Sequence, residues 1–318
     1  MIFNDNGFVE LPVNTSGRDF IVGDLHGQFD RLMAVLNVVE FSSNQDRLIA
    51  VGDVIDKGPG GQVLLWMLKT EPWFYSTLGN HELMMRGALG GNPYLLKQWA
   101  RNHNQWAAQV PPADMDELLK IIDGMPVALE LPLADGRRIG VVHAEIDPGT
   151  EWDAVRSVPP AGDREAEDHD GDTVGGSLLW GRRRATAGYR QRFNPKAKSL
   201  PAPTRVRTWQ ALQPVPGIDL VVAGHTKVTR PATPMVVANC IFLETAAFQP
   251  QGWLTLLDPR QGCYWQAGGK RNSARGPLPL PAPQDPEPFR PTPRQIEKSA
   301  RADEQAVKAL RLLLGSVV

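Results

Sequence analysis

At 318 residues, 42% of them hydrophobic and 22% charged, the chain has a globular composition and the length to bury a substantial core. A formal net charge of −1 gives no electrostatic reason to expect nucleic acid or an anionic membrane as partner, and no run approaches the ~18 apolar residues of a membrane span. Cys240 and Cys263 lack metal-binding spacing and the N-terminus has no secretory pattern, so a cytoplasmic protein without thiolate chemistry is expected.

The first element is a short apolar run, Phe20-Ile21-Val22, ending in Gly-Asp. A helical pattern follows, with Phe29, Leu32, Met33, Val35, Leu36 and Val39 spaced for one buried face. The run Leu48-Ile49-Ala50-Val51 again ends in Gly-Asp, and a second helix carries Val63, Leu64, Leu65, Met67 and Leu68. A third run, Trp73 to Leu78, ends in Gly-Asn. Strand, loop and helix repeated in this way predict an α/β fold with a largely buried sheet.

Residues 83 to about 122 read as helical, with a tryptophan-bearing stretch at Trp99–Trp106. Val127–Leu133, the Asp135-Gly136 turn and Ile139–Val142 form an expected hairpin. The runs Leu220–Ala223, Val236–Leu243 and Trp253–Leu257 are assigned to a second sheet, giving two mixed sheets packed as a sandwich and flanked by helices. Between these blocks, Ala161–Gly176 is acidic and Arg182–Arg207 carries nine bases and no acid. They read as two solvated loops of opposite sign, the second able to form a basic rim for an anionic substrate.

The expected boundaries are a catalytic domain at 1–268, a proline-rich linker at 269–294 and an amphipathic helix at 295–318. Thr292, Pro293 and Gln295 have the order of N-cap, first helical position and capping-box partner. Ile296, Ala300, Val307, Leu310 and Leu314 share one face, suited to docking on the same chain or to self-association.

The chemistry lies in five short motifs at or near the ends of apolar runs: Gly23-Asp24-Leu25-His26-Gly27, Gly52-Asp53-Val54-Ile55-Asp56-Lys57-Gly58, Gly79-Asn80-His81-Glu82, Val142-His143-Ala144-Glu145 and Ala223-Gly224-His225-Thr226. They offer carboxylates, imidazoles and an amide oxygen, a donor set for hard or borderline divalent ions: manganese first, with iron or zinc as alternatives. Two such ions roughly 3.5–4 Å apart can hydrolyse phosphate esters, and ions that close need a shared anionic ligand. Asp53, arriving from the middle strand of three, is the candidate bridge.

Taken in order, Gly-Asp-x-His-Gly, Gly-Asp-x-x-Asp, Gly-Asn-His-Glu, His-Ala and Gly-His resemble the metal-dependent serine/threonine phosphoprotein phosphatases of the calcineurin-like metallophosphoesterase superfamily, above all the bacterial and bacteriophage type. The resemblance covers roughly residues 18–257 and includes Leu179-Trp180-Gly181-Arg182. It implies that Asp24 and His26 bind one metal, that Asn80, His143 and His225 bind a second, and that Asp53 bridges them. It further implies attack by a metal-bridging hydroxide, with His81 as general acid oriented by Asp56 and Arg182 on the phosphate.

Lys57 stands where the family has a second phosphate-binding arginine, keeping the charge but losing the planar fork. Glu145 is open between a hydrogen bond to a metal-bound water and a solvent-facing position, and Arg183 and Arg184 are rivals of Arg182. His103 and His169 have no motif around them.

The implied substrate is a phosphoprotein carrying phosphoserine or phosphothreonine, with phosphotyrosine within reach. The alternatives are a symmetrical diadenosine-tetraphosphate hydrolase, another small phosphoester hydrolase, or a non-catalytic metal-binding scaffold. Gly58-Pro59-Gly60 suits either hydrolase, whereas Asp56 favours the phosphatase.

Overall fold

The computed structural model describes residues 7–193, 202–228, 232–269, 273–283, 291–298 and 301. After β1 (Phe8–Glu10), the chain runs β2 (Asp19–Val22), α1 (Phe29–Val38), β3 (Arg47–Ala50), α2 (Gly61–Thr70), β4 (Phe74–Ser76) and α3 (Asn80–Leu89). β2, β3 and β4 are parallel neighbours. Their side chains alternate between two buried environments. Phe20, Val22, Leu48 and Ala50 pack with Leu32, Val35 and Leu36 of α1 and Leu64, Leu65 and Leu68 of α2. Ile21, Ile49 and Val51 face the other way, into an inter-sheet layer. A strand covered on both faces has no polar side, which is why these runs are continuously apolar. Each such Leu, Ile or Phe contributes about 1.5–3 kcal/mol by burial.

Helices α4 (Pro93–Trp99) and α5 (Pro112–Asp123) follow, with a 3₁₀ turn at Gln105–Gln109 between them. The hairpin then forms as expected, β5 (Ala128–Pro132) pairing antiparallel with β6 (Arg138–Val142). Next come α6 (Trp152–Arg156), α7 (Asp163–Glu167), α8 (Val174–Trp180), α9 (Arg183–Phe193) and α10 (Ala202–Ala211). The remaining strands are β7 (Leu220–Ala223), β8 (Met235–Val237), β9 (Cys240–Phe242), β10 (Trp253–Asp258), β11 (Cys263–Gly268) and β12 (Ser273–Pro279). Two six-stranded sheets result, ordered β1-β5-β6-β7-β9-β8 and β12-β11-β10-β2-β3-β4. Leu129, Leu131, Ile139, Val141, Val222 and Ile241 of the first meet Ile21, Ile49 and Leu257 of the second across the sandwich.

Four details differ from the sequence reading. Trp253–Asp258 joins the first-formed sheet, pairing antiparallel with β2 through Val22 and Leu256, because Leu257 fits the inter-sheet layer while Leu254 and Leu256 face the helices. The run Val236–Leu243 is broken at Ala238, whose φ of 51° turns the chain back into the antiparallel pair β8–β9. The expected linker begins with a strand: Ser273–Pro279 pairs with β11, so the sheet runs past residue 268, and its prolines are tolerated at a sheet edge.

The fourth concerns the two charged segments, where loops were expected: the acidic one carries α7 and the start of α8, and the described part of the basic one carries α9 and the start of α10. In the acidic one, Asp168 accepts the backbone N–H groups of Asp172 and Thr173 and the Thr173 hydroxyl, and Thr173 in turn caps α8 by accepting the N–H of Gly176. At the tail, Gln295 Oε1 accepts the Thr292 N–H at 2.8 Å and a helical turn follows. The apolar face from Ala300 through Leu314 lies outside the described residues.

Candidate metal centre

The motifs converge because strands β2, β3 and β4 of one sheet and β6 and β7 of the other end at one rim of the sandwich. Asp24 and His26 follow β2, Asp53, Asp56 and Lys57 follow β3, and Asn80 and His81 open α3 just after β4. His143 follows β6 and His225 follows β7. Tight turns at these strand ends give His26, Asp53 and His225 left-handed backbones, with φ of 44°, 48° and 59°. Glycine is required where the loops meet: a Cβ on Gly79 would strike the Asp53 backbone and carboxylate, and one on Gly224 would strike the Asp24 carboxylate.

The side chains nest closely. His26 Nε2 lies 3.6 Å from Asp53 Oδ2 and 3.9 Å from Asp24 Oδ2. His143 Nε2 is 3.4 Å from Asp53 Oδ1 and 2.8 Å from Asn80 Oδ1, and His225 Nδ1 is 3.1 Å from that same amide oxygen. Three sets of donor atoms each fit within 4.8 Å: Asp24, Asp53 and His143; His26, Asp53 and His81; and Asp24, His26 and Glu244. All of these residues are buried.

Burial lowers the pKa values of the His26, His143 and His225 imidazoles and so favours their neutral forms. Nδ1 of His26 donates to Ile55 O (3.1 Å) and Nδ1 of His143 to Val51 O (2.9 Å). Each ring therefore turns an Nε2 lone pair inward, and that of His143 faces a second acceptor, Asn80 Oδ1. Acceptor facing acceptor is unfavourable without a cation. The carboxylates agree. Burial, with Glu244 and Asp53 as negative neighbours, holds Asp24 well above the usual range. Burial also opposes ionisation of Asp53, but His143, His81, His26 and Lys57 around it prevail and hold it low. This donor set fits divalent cations.

His81 is set apart from the other histidines. Its Nδ1 donates to Asp56 Oδ2 at 2.7 Å, and its Nε2 lies 3.7 Å from Asp53 Oδ2. Asp56 is fully buried and accepts two further N–H groups, from the indoles of Trp99 (3.1 Å) and Trp106 (3.0 Å). Those tryptophans were legible only as a tryptophan-bearing stretch; their partner lies more than forty residues upstream.

Glu82 was missed as well. Its carboxylate accepts the N–H groups of Asp53, Val54, Ile55 and Gly79 at 2.9–3.1 Å and so shapes the loop that presents Asp53 and Asp56. Burial beside Asp53 pushes it up to about 8.

Two cations stand at the mouth. Lys57 donates to His26 Nε2 at 2.7 Å and lies over the Phe248 ring, which Lys227 also approaches. Arg182 has Asp53, Asp24 and Glu145 as charged neighbours and forms no hydrogen bond among the described residues. Its rivals are committed elsewhere. Arg183 pairs with Asp147 and Asp172, while buried Arg184 donates to the carbonyls of Ile146, Ala211 and Gln213. Glu145 faces neither solvent nor the donor cluster: it is buried and caps α9 by accepting the N–H groups of Arg183, Arg184 and Ala185. His103 is exposed, and His169 packs on Trp180.

Comparison with known proteins bears on the family and the fold. The calcineurin-like phosphoesterase family matches residues 20–228, and the chain belongs to that family of hydrolases, whose fold implies divalent metal ions. Among relatives, serine/threonine-protein phosphatase 1 of Salmonella typhimurium is 31% identical over 137 residues, covering 42% of this chain and 62% of that protein. Serine/threonine-protein phosphatase 2 of the same organism is 28% identical over 235 residues, covering 72% and 87%. The symmetrical bis(5'-nucleosyl)-tetraphosphatase of Cronobacter sakazakii is 30% identical over 148 residues, covering 46% and 49%. The match thus spans about three-fifths of the first relative and half of the third. A crystal structure provisionally described as a diadenosine tetraphosphatase superposes with a TM-score of 0.52 at 22% identity, over 84% of this chain and 99% of that one, which supports the fold. Among the described residues, no helix is long and apolar enough to cross a membrane.

Proposed function

We propose that the protein is a dinuclear, metal-dependent phosphatase for phosphoserine and phosphothreonine in proteins. Asp24 and His26 would hold one ion, Asn80, His143 and His225 the other, and Asp53 both. When bound, such ions, manganese foremost, neutralise phosphoryl charge and lower the pKa of a water. The rest of the work falls to side chains. Arg182 and Lys57 grip the phosphoryl oxygens, the arginine with two donors and the lysine with a point charge. His81, fixed through Nδ1 by Asp56, turns Nε2 toward the departing oxygen and gives it a proton.

The observation that carries this reading is the His81–Asp56 pair at 2.7 Å, locked by two indoles. A serine or threonine alkoxide is a poor leaving group and needs that proton; a phosphoanhydride releases a stabilised phosphate and does not. A second reading, hydrolysis of dinucleoside polyphosphates, is favoured by the tetraphosphatase relative and by Phe248 flanked by Lys57 and Lys227, a stacking face between two cations.

The test is turnover by manganese-loaded enzyme on a phosphoserine peptide, p-nitrophenyl phosphate and diadenosine tetraphosphate. The peptide should be hydrolysed, and His81→Asn should lower its kcat by about 10²–10⁴. The same variant should lose far less on p-nitrophenyl phosphate, whose phenolate leaves without a proton. Equal losses on both esters would remove His81 from the acid role. Activity confined to the tetraphosphate would favour the second reading, and no activity at all a scaffold.

A further inference from the structure

Glu244 belongs to no motif and lies two residues beyond β9, yet it reaches the centre. It is 1% exposed, and one of its oxygens lies within 4.8 Å of ligand atoms of both Asp24 and His26. Its two oxygens are used unequally. Oε1 accepts the N–H of Ala246 at 2.8 Å, whereas Oε2 is buried with no hydrogen-bond partner. Among the described residues it is the one carboxylate oxygen left in that state.

The backbone that presents it is held on both sides. Its carbonyl accepts the Val228 N–H at 2.7 Å, and the next hydroxyl, on Thr245, is tied to Thr255 at 2.6 Å. Lys57, the nearby ammonium, contacts His26 and the Phe248 ring and makes no hydrogen bond to Glu244. A buried carboxylate oxygen left without a hydrogen-bond partner is costly, so a fold that fixes one beside Asp24 and His26 has a place for a cation there.

We propose that Glu244 is a further metal ligand, giving a carboxylate oxygen to the ion held by Asp24 and His26; this rests on the reading that those two residues bind an ion. The two ions are then chemically unlike. One meets Asp24, Asp53, Glu244 and a single imidazole. The other meets Asn80, His143, His225 and the shared Asp53. Hard manganese prefers the oxygen-rich half, while zinc is served as well by the nitrogen-rich half.

The test is manganese titration of the full chain after chelation, followed by calorimetry and by the electron paramagnetic resonance of bound Mn²⁺. The wild-type chain should take up two ions. In Glu244→Gln one binding step should weaken about 10–100-fold and the other hold. The variant's chelated form should melt no lower than chelated wild type, because an unpaired buried charge has been removed, while the rise in Tm on adding manganese should shrink. Unchanged affinity for both ions overturns the proposal, and so does a lower Tm in the chelated variant with metal binding intact, which marks a purely structural residue. Should Glu244→Gln fail to fold, Glu244→Asp, which keeps the charge on a shorter arm, must show the same one-step weakening. A wild-type chain that binds no manganese overturns both this proposal and the reading beneath it.

Discussion

The loops after β2, β3 and β4 and the helical segment between His143 and β7 both feed the same centre, but different physics holds them. The first set is tied by many small bonds. His26 N donates to Asp53 O (2.7 Å), Gly27 N to Val54 O (2.9 Å), and Glu82 gathers four more N–H groups. The second leans on two buried ionisable side chains, Glu145, which accepts the first N–H groups of α9, and Arg184, the second residue of that helix. Distributed bonding makes a site that tolerates single losses; concentrated bonding makes one that can be shifted by changing a single residue.

The largest effect expected from that contrast falls on the arginine the second segment presents. Arg182→Ala should lower kcat/KM by about 10²-fold, the cost of removing one preorganised phosphoryl donor. Manganese affinity should not change, and a calorimetric titration beside the kinetics checks the split. If metal binding falls too, the two regions are not independent.

Glu145→Ala should come next. Three N–H groups lose their acceptor, and a loss of about 2–4 kcal/mol is expected in chemical unfolding, with a fall in activity as Arg182 moves. Stability equal to wild type would break the comparison outright.

The smallest effect belongs to the N-terminal half. Asp46 accepts from Arg18 N (2.8 Å), Arg18 Nη2 (2.7 Å) and Ser42 N (3.0 Å). Burial opposes its charge, but the Arg18 and Ser42 hydrogen bonds outweigh it and hold the carboxyl below its usual value. A carboxylate depressed in the folded state stabilises above its unfolded pKa of about 3.9, and the gain disappears as pH falls through the folded value. Asp46→Asn should therefore cost roughly 1–2 kcal/mol at neutral pH, discounted for the partly exposed Arg18. Its melting curve should converge on that of wild type as pH falls through the depressed folded value. A gap that persists in acid would show that packing, not charge, is at work.

The same contrast explains what the sequence reveals. Asp24, His26, Asp53, Asn80, His143 and His225 are legible because each lies at or near the end of an apolar run, all but His143 beside a glycine, a local signature of a strand end. The three repeated strand–loop–helix units are legible for the same reason. Glu82 sits inside a motif, but its role depends on backbone groups twenty-five or more residues away. Trp99, Trp106 and Glu244 act across still longer separations, where neither periodicity nor spacing carries information. Charge composition misled for Ala161–Gly176, which Asp168 organises through local hydrogen bonds, and for the start of α9, where Glu145 and Arg184 are buried rather than solvated.

The left-handed backbones of His26, Asp53 and His225 have a consequence for how this chain can change. That conformation costs an L-residue about 1 kcal/mol or more, and glycine would escape the cost. Asp and His are among the few side chains that both tolerate the bend and offer a donor to a cation. Selection for stability alone would push these positions toward glycine, and each step would empty one place in the donor set. Directed evolution for thermal resistance, if run without an activity screen, should erode the centre from these three positions first.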